Sequence, residues 1–345
     1  MWGNLCGMST RRLVLGLVVT AAVAGAVFLY ALPRLAAYGS VWREITLLST
    51  WWIIGLLAVT ALDILTYGPP WLVTLPKLRV LDALKMTQAS TAFSLVMPGG
   101  ATLGMGVSFA MLRSAGFAQG TVAAAVVVTG LWSQVSTFLF PVVAIGLLAA
   151  EGVGSATLRF LALVGVGISV VLIAVGAAVL WREQVAARTG DIAARGVSRL
   201  LRLLGRAPVE WGGHSLVRYR GEVLSLLRRR WISLTVATLA NQLTGYLMLE
   251  LSIRAVGIGR GHVSVTETFA AWSIGRLLGS LPITPSGLGV VELGLTGSLV
   301  GFGGPHAPVV AAVLVYRALS LVPTIVLGLL ATVTWRRRTD GQTLP

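Results

Sequence analysis

The segment Gly279-Ser-Leu-Pro-Ile-Thr-Pro-Ser-Gly-Leu-Gly-Val-Val-Glu-Leu-Gly294 interrupts an otherwise apolar part of the chain and cannot form one continuous helix. Pro282 and Pro285 each remove a backbone donor and clash with the preceding turn. Gly287 and Gly289 permit backbone conformations outside the helical region. Inside a bilayer, the backbone groups freed by such a break must be satisfied by protein or by a water-filled cavity. The sequence therefore predicts a broken helix beside a pathway or a binding site.

Three ionisable residues accompany this segment: Arg276 before it, Glu292 within it, and Arg317 one apolar segment later. Ionisable side chains at membrane depth are expensive and usually face a partner or a substrate. Arg276 lies nine residues before Pro285 and Glu292 seven residues after it. A reversal of the chain at Pro285 would therefore bring Arg276 and Glu292 to face each other. A purely structural Arg-Glu clamp would use the same residues, and the sequence leaves both interpretations open.

Composition identifies the chain as an integral membrane protein. Of its 345 residues, 11% are charged and 56% are hydrophobic, and long apolar runs recur. Runs of about 18 residues or more are long enough to cross the roughly 30 Å hydrocarbon core as helices. The single cysteine, Cys6, excludes a disulfide scaffold. Because none of the three histidines lies in an apolar run, we expect no metal, no cofactor and no catalytic residue.

The apolar runs predict an all-α protein with about six full transmembrane helices. These spans are predicted over residues 13–32, 50–67, 118–150, 157–181, 231–251 and 307–335. Two further apolar segments, 86–112 and 265–304, are broken, the first of them at Pro98, Gly99 and Gly100. Helices of about twelve residues on each side of that break reach only about 18 Å, so we predict re-entrant hairpins. The second broken element can instead form two short tilted crossings.

The distribution of positive charge predicts the orientation. The chain carries 27 Lys and Arg against 12 Asp and Glu, a net charge of +15 that in a soluble protein would indicate nucleic-acid binding. With both termini in the cytoplasm, twenty basic residues fall on the cytoplasmic side and five outside, as the positive-inside rule requires. We therefore expect a multi-pass protein of the cell membrane with no nucleic-acid partner.

The predicted cytoplasmic connection at 182–230 holds eleven arginines. Spacings of 7, 4, 3 and 4 residues place five of them on one helical face: Arg188, Arg195, Arg199, Arg202 and Arg206. Such a basic amphipathic helix suits a surface of anionic lipid. A solvated connector whose charges only set the topology would have the same residues, and the pattern does not separate these two roles.

The two breaks correspond when the sequence is shifted by 187 residues. This shift places Pro98 on Pro285. It also places Gly100 on Gly287. Inverted repeats with interrupted segments at corresponding positions point to a transporter site near the midplane of the membrane.

A second correspondence extends the repeat towards the N-terminus. At a shift of 178 residues, Asp63-Ile-Leu-Thr66 falls on Asn241-Gln-Leu-Thr244. We therefore predict one polytopic membrane domain over residues 1–345. It contains a first repeat unit at about 50–150 and a second, inverted unit at about 231–335, joined through the basic connection.

The motifs at both breaks resemble the flippase-like family typified by the membrane domain of lysylphosphatidylglycerol synthase. The resemblance rests on the Pro98-Gly-Gly element with residues 111–117, and on residues 281–294 with Tyr316 and Arg317, and it covers nearly the whole chain. It implies a membrane domain that moves an aminoacylated phospholipid between leaflets, while a separate soluble domain makes that lipid. We expect no such soluble domain here, hence no lysyltransferase activity, and a lipid-synthesising enzyme as a partner. Many relatives carry Gly-Glu and an Arg after the first Pro-Gly turn, whereas residues 100–106 have neither.

Three functions are compatible with these features. The first is translocation of a phospholipid or lipid-linked headgroup, with Arg276 and Arg317 attracting a phosphate and Glu292 pairing with them or with a cationic headgroup. The second is a non-transporting accessory role in envelope lipid assembly. The third is an intramembrane lipid-modifying enzyme, against which stands the absence from the spans of histidine, of paired carboxylates at helical spacing and of an Asp cluster. Asp63 is a candidate for proton coupling. The candidate substrate-binding residues are Arg276, Glu292, Arg317, Pro285, Gly287, Gly289, Pro98, Gly99 and Gly100.

Overall fold

The computed structural model describes residues 38–96, 100–152, 213–280 and 287–340, together with isolated positions between 167 and 198. These residues form helices and no strand. In chain order the helices are α1 (Tyr38–Thr46), α2 (Thr50–Thr66), α3 (Pro69–Thr74), α4 (Val80–Val96), α5 (Gly100–Ser114), α6 (Gln119–Ala150), α7 (Gly213–Ala255), α8 (Val265–Ser280), α9 (Val290–Gly301) and α10 (His306–Asp340).

Four helical segments of the described chain are long and apolar enough to cross a membrane. They are Thr50–Thr74, which joins α2 and α3, Gln119–Ala150, Leu226–Ala255 and His306–Trp335. These segments coincide in position with four of the six predicted spans, and two of them, Thr50–Thr74 and Leu226–Ala255, are longer than predicted. The predicted span at 13–32 lies outside the described residues, as does most of the one at 157–181. The chain is an all-α, multi-pass membrane protein.

Each predicted break falls between two short helices. Residues 97–99 separate α4 from α5, and residues 281–286 lie between α8 and α9. Pro98, Gly99 and Pro285 belong to these two stretches and lie outside the described residues. The two helices on either side of each break pack against one another. With 15, 16 and 12 residues, α5, α8 and α9 are shorter than the roughly 17 residues that the shortest transmembrane helix needs.

Helices from one half of the described chain pack against helices from the other half. The last helix, α10, lies along α4 of the first half, and α6 of the first half lies along α8 of the second. Between these pairs, α2 packs on α7. At the α4–α10 contact a Cβ atom on Gly328 would lie 2.5 Å from the carbonyl oxygen of Gln88 and would also overlap the side chain of Ala92. The two halves therefore contact each other extensively, although each also has its own core cluster.

Residues that the 178-residue shift superposes contact each other reciprocally where α2 meets α7. The hydroxyl of Thr244 donates to Oδ1 of Asp63 at 2.7 Å, and Nδ2 of Asn241 donates to Oγ1 of Thr66 at 3.4 Å. The hydroxyls of the equivalent pair, Thr66 and Thr244, lie 3.2 Å apart. When one residue contacts a second and their counterparts repeat that contact in reverse, the two elements are related as across a two-fold axis. An inverted repeat would produce this arrangement.

The connection before the second half is more helical than its composition indicated. We predicted a polar connection up to residue 230, but α7 already begins at Gly213 and has 43 residues. Arginine and leucine are good helix formers, so the polar segment can continue the helix of the span that follows it. Of the five arginines on the predicted basic face, Arg188 and Arg195 are helical and exposed. The other three lie outside the described residues.

Candidate functional site

A buried ion pair joins the start of α9 to α10. Gly289 precedes α9 with φ 85°, a conformation that favours glycine, and its N–H donates to Oε2 of Glu292 at 2.7 Å. The other carboxylate oxygen, Oε1, accepts a hydrogen bond from Nε of Arg317 at 2.7 Å. Because Glu292 is only 1% exposed, both oxygens are satisfied by the protein and not by solvent. This geometry is that of a clamp between two helices.

The predicted pairing of Glu292 with Arg317 is confirmed. Its predicted pairing with Arg276 is wrong, because Arg276 bonds to Gln242. Helical periodicity gives the physical reason. α8 contacts α9 through Gly275 and Leu278. Arg276 is one residue from Gly275, a rotation of about 100° around the helix, so its side chain leaves the α8–α9 contact and points towards α7.

Arg276 contacts α7 through a neutral side chain. One of its terminal nitrogens donates to Oε1 of Gln242 at 2.8 Å, and Gln242 donates in turn to the carbonyl oxygen of Ser133 at 3.1 Å. The Nε of Arg276 is buried and has no hydrogen-bond partner among the described residues. No described carboxylate lies within ion-pair distance of it, and Asp63 acts on it only at longer range. The site therefore holds a half-buried cation without a direct counter-ion.

An aromatic cluster supports this cation. The guanidinium carbon of Arg276 lies 5.8 Å from the centre of the Trp272 ring. The Trp272 ring is 1% exposed, and its centre lies 5.0 Å from that of Phe140, 5.8 Å from that of Phe269 and 5.9 Å from that of Tyr246. Ring contacts of this kind fix the plane on which a guanidinium can rest. Residues from α6, α7 and α8 thus position one arginine.

Asp63, the candidate for proton coupling, is buried in the contact between α2 and α7. It is 8% exposed and accepts the hydrogen bond from Thr244. It is therefore not a solvated residue at the end of a span. Proton coupling itself stays a prediction.

The remaining predicted residues lie close to the breaks. Gly287, with φ 64°, precedes α9, and Gly100 begins α5. The structure thus brings Glu292, Arg317 and Gly289 into one cluster. Arg276 lies apart from that cluster, on the side of α8 that faces α7.

Sequence reasoning missed a partly open cavity of about 270 Å³ beside the first break, lined by hydroxyl groups and apolar groups. It lies between α3, α4, α5, α6 and α7, and its wall includes Thr87, Ser90, Thr91 and Ser94 of α4. Spacings of three and four residues place these four hydroxyls on one face of a helix. That pattern was readable in the sequence, and it indicates a polar face on α4 without showing which helices meet it. Ser133, the residue that accepts from Gln242, is also part of the wall.

The sequence matches the family described as the lysylphosphatidylglycerol synthase TM region over residues 13–328. Because the match includes both breaks and most of the 345 residues, the chain belongs to this family. The resemblance inferred from the motifs is confirmed. A comparison with curated proteins finds no match.

Proposed function

We propose that the protein translocates a phospholipid or lipid-linked headgroup across the cell membrane, in keeping with its membership of the lysylphosphatidylglycerol synthase transmembrane family. We further propose that it has no lysyltransferase activity of its own. The observation that carries this proposal is the half-buried Arg276 without a direct counter-ion. A cation at membrane depth is costly unless an opposite charge meets it. The phosphate of a lipid would supply that charge and would accept charge-assisted hydrogen bonds from the guanidinium.

The proposed topology has six full spans, two re-entrant hairpins and both termini in the cytoplasm. The short helices on either side of each break and the reciprocal contacts between α2 and α7 support an inverted repeat. In such repeats the interrupted helices lie near the midplane, where a substrate can be reached from either side in turn. We further propose that the basic segment contacts anionic lipid and that an enzyme that synthesises the substrate lipid is a partner.

A non-transporting accessory role in envelope lipid assembly is the second candidate. The buried pair of Glu292 and Arg317 favours it, because each oxygen of Glu292 is already satisfied within the protein. We therefore assign this pair a structural role under either function. Under the accessory role, Arg276 would have no task in transport, so that residue separates the two candidates.

Replacing Arg276 by glutamine should lower lipid transport at least tenfold and leave the folded yield close to that of the parent protein. A lost charged hydrogen bond is worth about 1.5–3 kcal/mol, and about 1.4 kcal/mol corresponds to a factor of ten. Arg276→Lys should be intermediate, because lysine keeps the charge but not the planar fork. The measurement is transfer of a fluorescent phospholipid between the leaflets of proteoliposomes.

The control for Arg276→Gln is Arg260→Gln, which removes the same charge at an exposed position. This variant should transport at the parent rate. If Arg276→Gln were folded and equally fast, the assignment of Arg276 to the substrate would be wrong and the accessory role would be favoured.

The orientation can be tested with single cysteines at two exposed positions, in a chain whose Cys6 is replaced by serine. In Gly261→Cys the thiol should react with an impermeant reagent in intact cells, because that connection is proposed to lie outside. In Gln184→Cys it should react only after the membrane is permeabilised. Equal labelling of the two variants in intact cells would contradict the proposed orientation.

A further inference from the structure

We infer that the cavity beside the first break binds an uncharged polyhydroxyl headgroup, the sugar or polyol of a membrane lipid. The inference adds a headgroup class to the proposed function. Its consequence for transport rests on that proposed function. The cavity volume of about 270 Å³ lies just below the roughly 300–1,000 Å³ typical of small-molecule sites. A headgroup of about one ring therefore suits it better than a long chain.

The first argument is the absence of charge. Among the described residues, the wall of the cavity contains no Asp, Glu, Lys, Arg or His. Tyr67 is the one ionisable residue of this described wall. A cationic headgroup would lose its hydration there without meeting a carboxylate. The wall is instead made of hydroxyls, an amide from Asn241 and apolar groups that include the ring of Trp71. Such a lining favours a neutral ligand.

The second argument is the direction of the hydrogen bonds. Four hydroxyls of the wall donate their single proton to a backbone carbonyl three or four residues earlier in their own helix: Thr87, Ser90, Ser94 and Thr129. Each keeps lone pairs that can accept a further hydrogen bond. A phosphate or carboxylate offers only acceptors and could form no hydrogen bond with these four hydroxyls. The O–H groups of a polyol donate without bringing a charge.

The third argument is an unpaired donor. Thr238 of α7 is 4% exposed and forms part of the wall, and its hydroxyl has no hydrogen-bond partner among the described residues. A buried hydroxyl in this state carries a desolvation penalty that a ligand oxygen would remove. The wall thus offers acceptors together with donors from Thr238, Ser133 and the amide of Asn241, and a ligand hydroxyl, which both donates and accepts, is complementary to it.

The fourth argument connects the cavity to the proposed phosphate site. Ser133 belongs to the wall, Gln242 donates to it, and Arg276 donates to Gln242 at 2.8 Å. The guanidinium therefore lies one side chain behind the cavity. A lipid whose phosphate is attached directly to a polyol would place charge and hydroxyls in the same order.

Cavity filling gives the first test. Gly130 of α6 forms part of the wall, and a Cβ atom there would meet nothing within 4 Å. Gly130→Leu should place a side chain in the cavity and lower the affinity for phosphatidylinositol at least tenfold. Its matched control is Gly146→Leu, at an exposed glycine of the same helix with equally open surroundings, which should bind like the parent.

Binding is measured by native mass spectrometry of the full chain in a detergent without sugar. The probes are phosphatidylinositol, monogalactosyldiacylglycerol, phosphatidylethanolamine and free inositol. We expect the two polyhydroxyl lipids to bind more tightly than phosphatidylethanolamine, and free inositol to bind more weakly than phosphatidylinositol. Preference for phosphatidylethanolamine would overturn the headgroup class, and equal binding of free inositol would overturn its assignment to a lipid.

The second test is Thr238→Val, which removes the unpaired hydroxyl at constant volume. Affinity for phosphatidylinositol should fall about fivefold, the usual effect of one neutral hydrogen bond, while the melting temperature without lipid should not fall. A merely structural hydroxyl predicts the reverse, a lower melting temperature with unchanged affinity, and that result would overturn the inference.

Transport assays distinguish failure of this inference from failure of the proposed function. Equal transfer of fluorescent lipids with every headgroup would retain translocation and overturn the headgroup class. Selective binding of polyhydroxyl lipids without any transfer would retain the cavity assignment and overturn translocation.

Discussion

Gly328→Ala should lower the melting temperature of the purified protein by several degrees, although alanine is the better helix former. The added Cβ would lie 2.5 Å from the carbonyl oxygen of Gln88 and would overlap Ala92. A backbone carbonyl cannot rotate away as a side chain can, so α10 must move from α4. Overpacking of this kind costs about 1–3 kcal/mol, occasionally more, against a gain in helix propensity of about 1 kcal/mol.

The matched control is Gly297→Ala in α9, where a Cβ atom would meet nothing within 4 Å. There alanine brings the helix propensity without the clash, so the melting temperature should be equal or higher. The two variants are compared by thermal unfolding and by their monodisperse fraction in size-exclusion chromatography. If Gly328→Ala were as stable as Gly297→Ala, the close packing of α4 and α10 would be contradicted.

Glu292→Gln should leave little folded protein, because it removes the buried carboxylate that forms the ion pair with Arg317. Glutamine keeps the volume of the side chain and can still accept the hydrogen bond from Gly289. The loss of stability therefore measures the effect of the missing charge. Removing one member of a buried pair typically costs about 3–5 kcal/mol, which is a large part of the stability of many proteins. The measurement is the folded yield together with the melting temperature.

Glu267→Gln is the control for the cap alone. Oε2 of Glu267 accepts the N–H of Ser264 at 2.7 Å at the start of α8, as Glu292 does at α9, but Glu267 forms no ion pair with a described residue. Its cost should stay near or below about 1 kcal/mol. The double variant Glu292→Gln with Arg317→Gln should recover part of the lost stability. Equal behaviour of Glu267→Gln and Glu292→Gln would contradict a clamp.

The positions of the spans could be predicted because the thickness of the bilayer sets the length of each apolar run, which can be seen in the local sequence. A helix that crosses hydrocarbon needs a continuous apolar run of a set length, and such runs end where polar residues begin. The predicted span at 118–150 corresponds to Gln119–Ala150, and the one at 307–335 to His306–Trp335. The two breaks were equally readable, because proline and glycine act on their own backbone.

The partner of Arg276 could not be predicted from the sequence in this way. Which side of α8 turns to α9 is decided by the packing of Gly275 and Leu278, and that choice sends Arg276 to α7. Pairing between helices depends on tertiary contacts that spacing along one helix does not contain. The cavity was missed for a related reason, since its hydroxyls come from helices far apart in the sequence and only those of α4 form a local pattern.

The packing of α10 from the second half against α4 from the first has a consequence for biosynthesis. α4 ends at Val96, but α10, which lies along it, begins only at His306. At about 5–20 residues per second, the ribosome needs roughly 10–40 s to make the missing partner. During that interval the side of α4 that holds Gln88 and Ala92 lacks its partner helix, and hydrocarbon cannot satisfy the buried amide of Gln88, so the nascent hairpin must wait at the insertion machinery or at the membrane surface. A message truncated just before α10 would therefore leave the early half, and not only the late one, open to quality-control proteases.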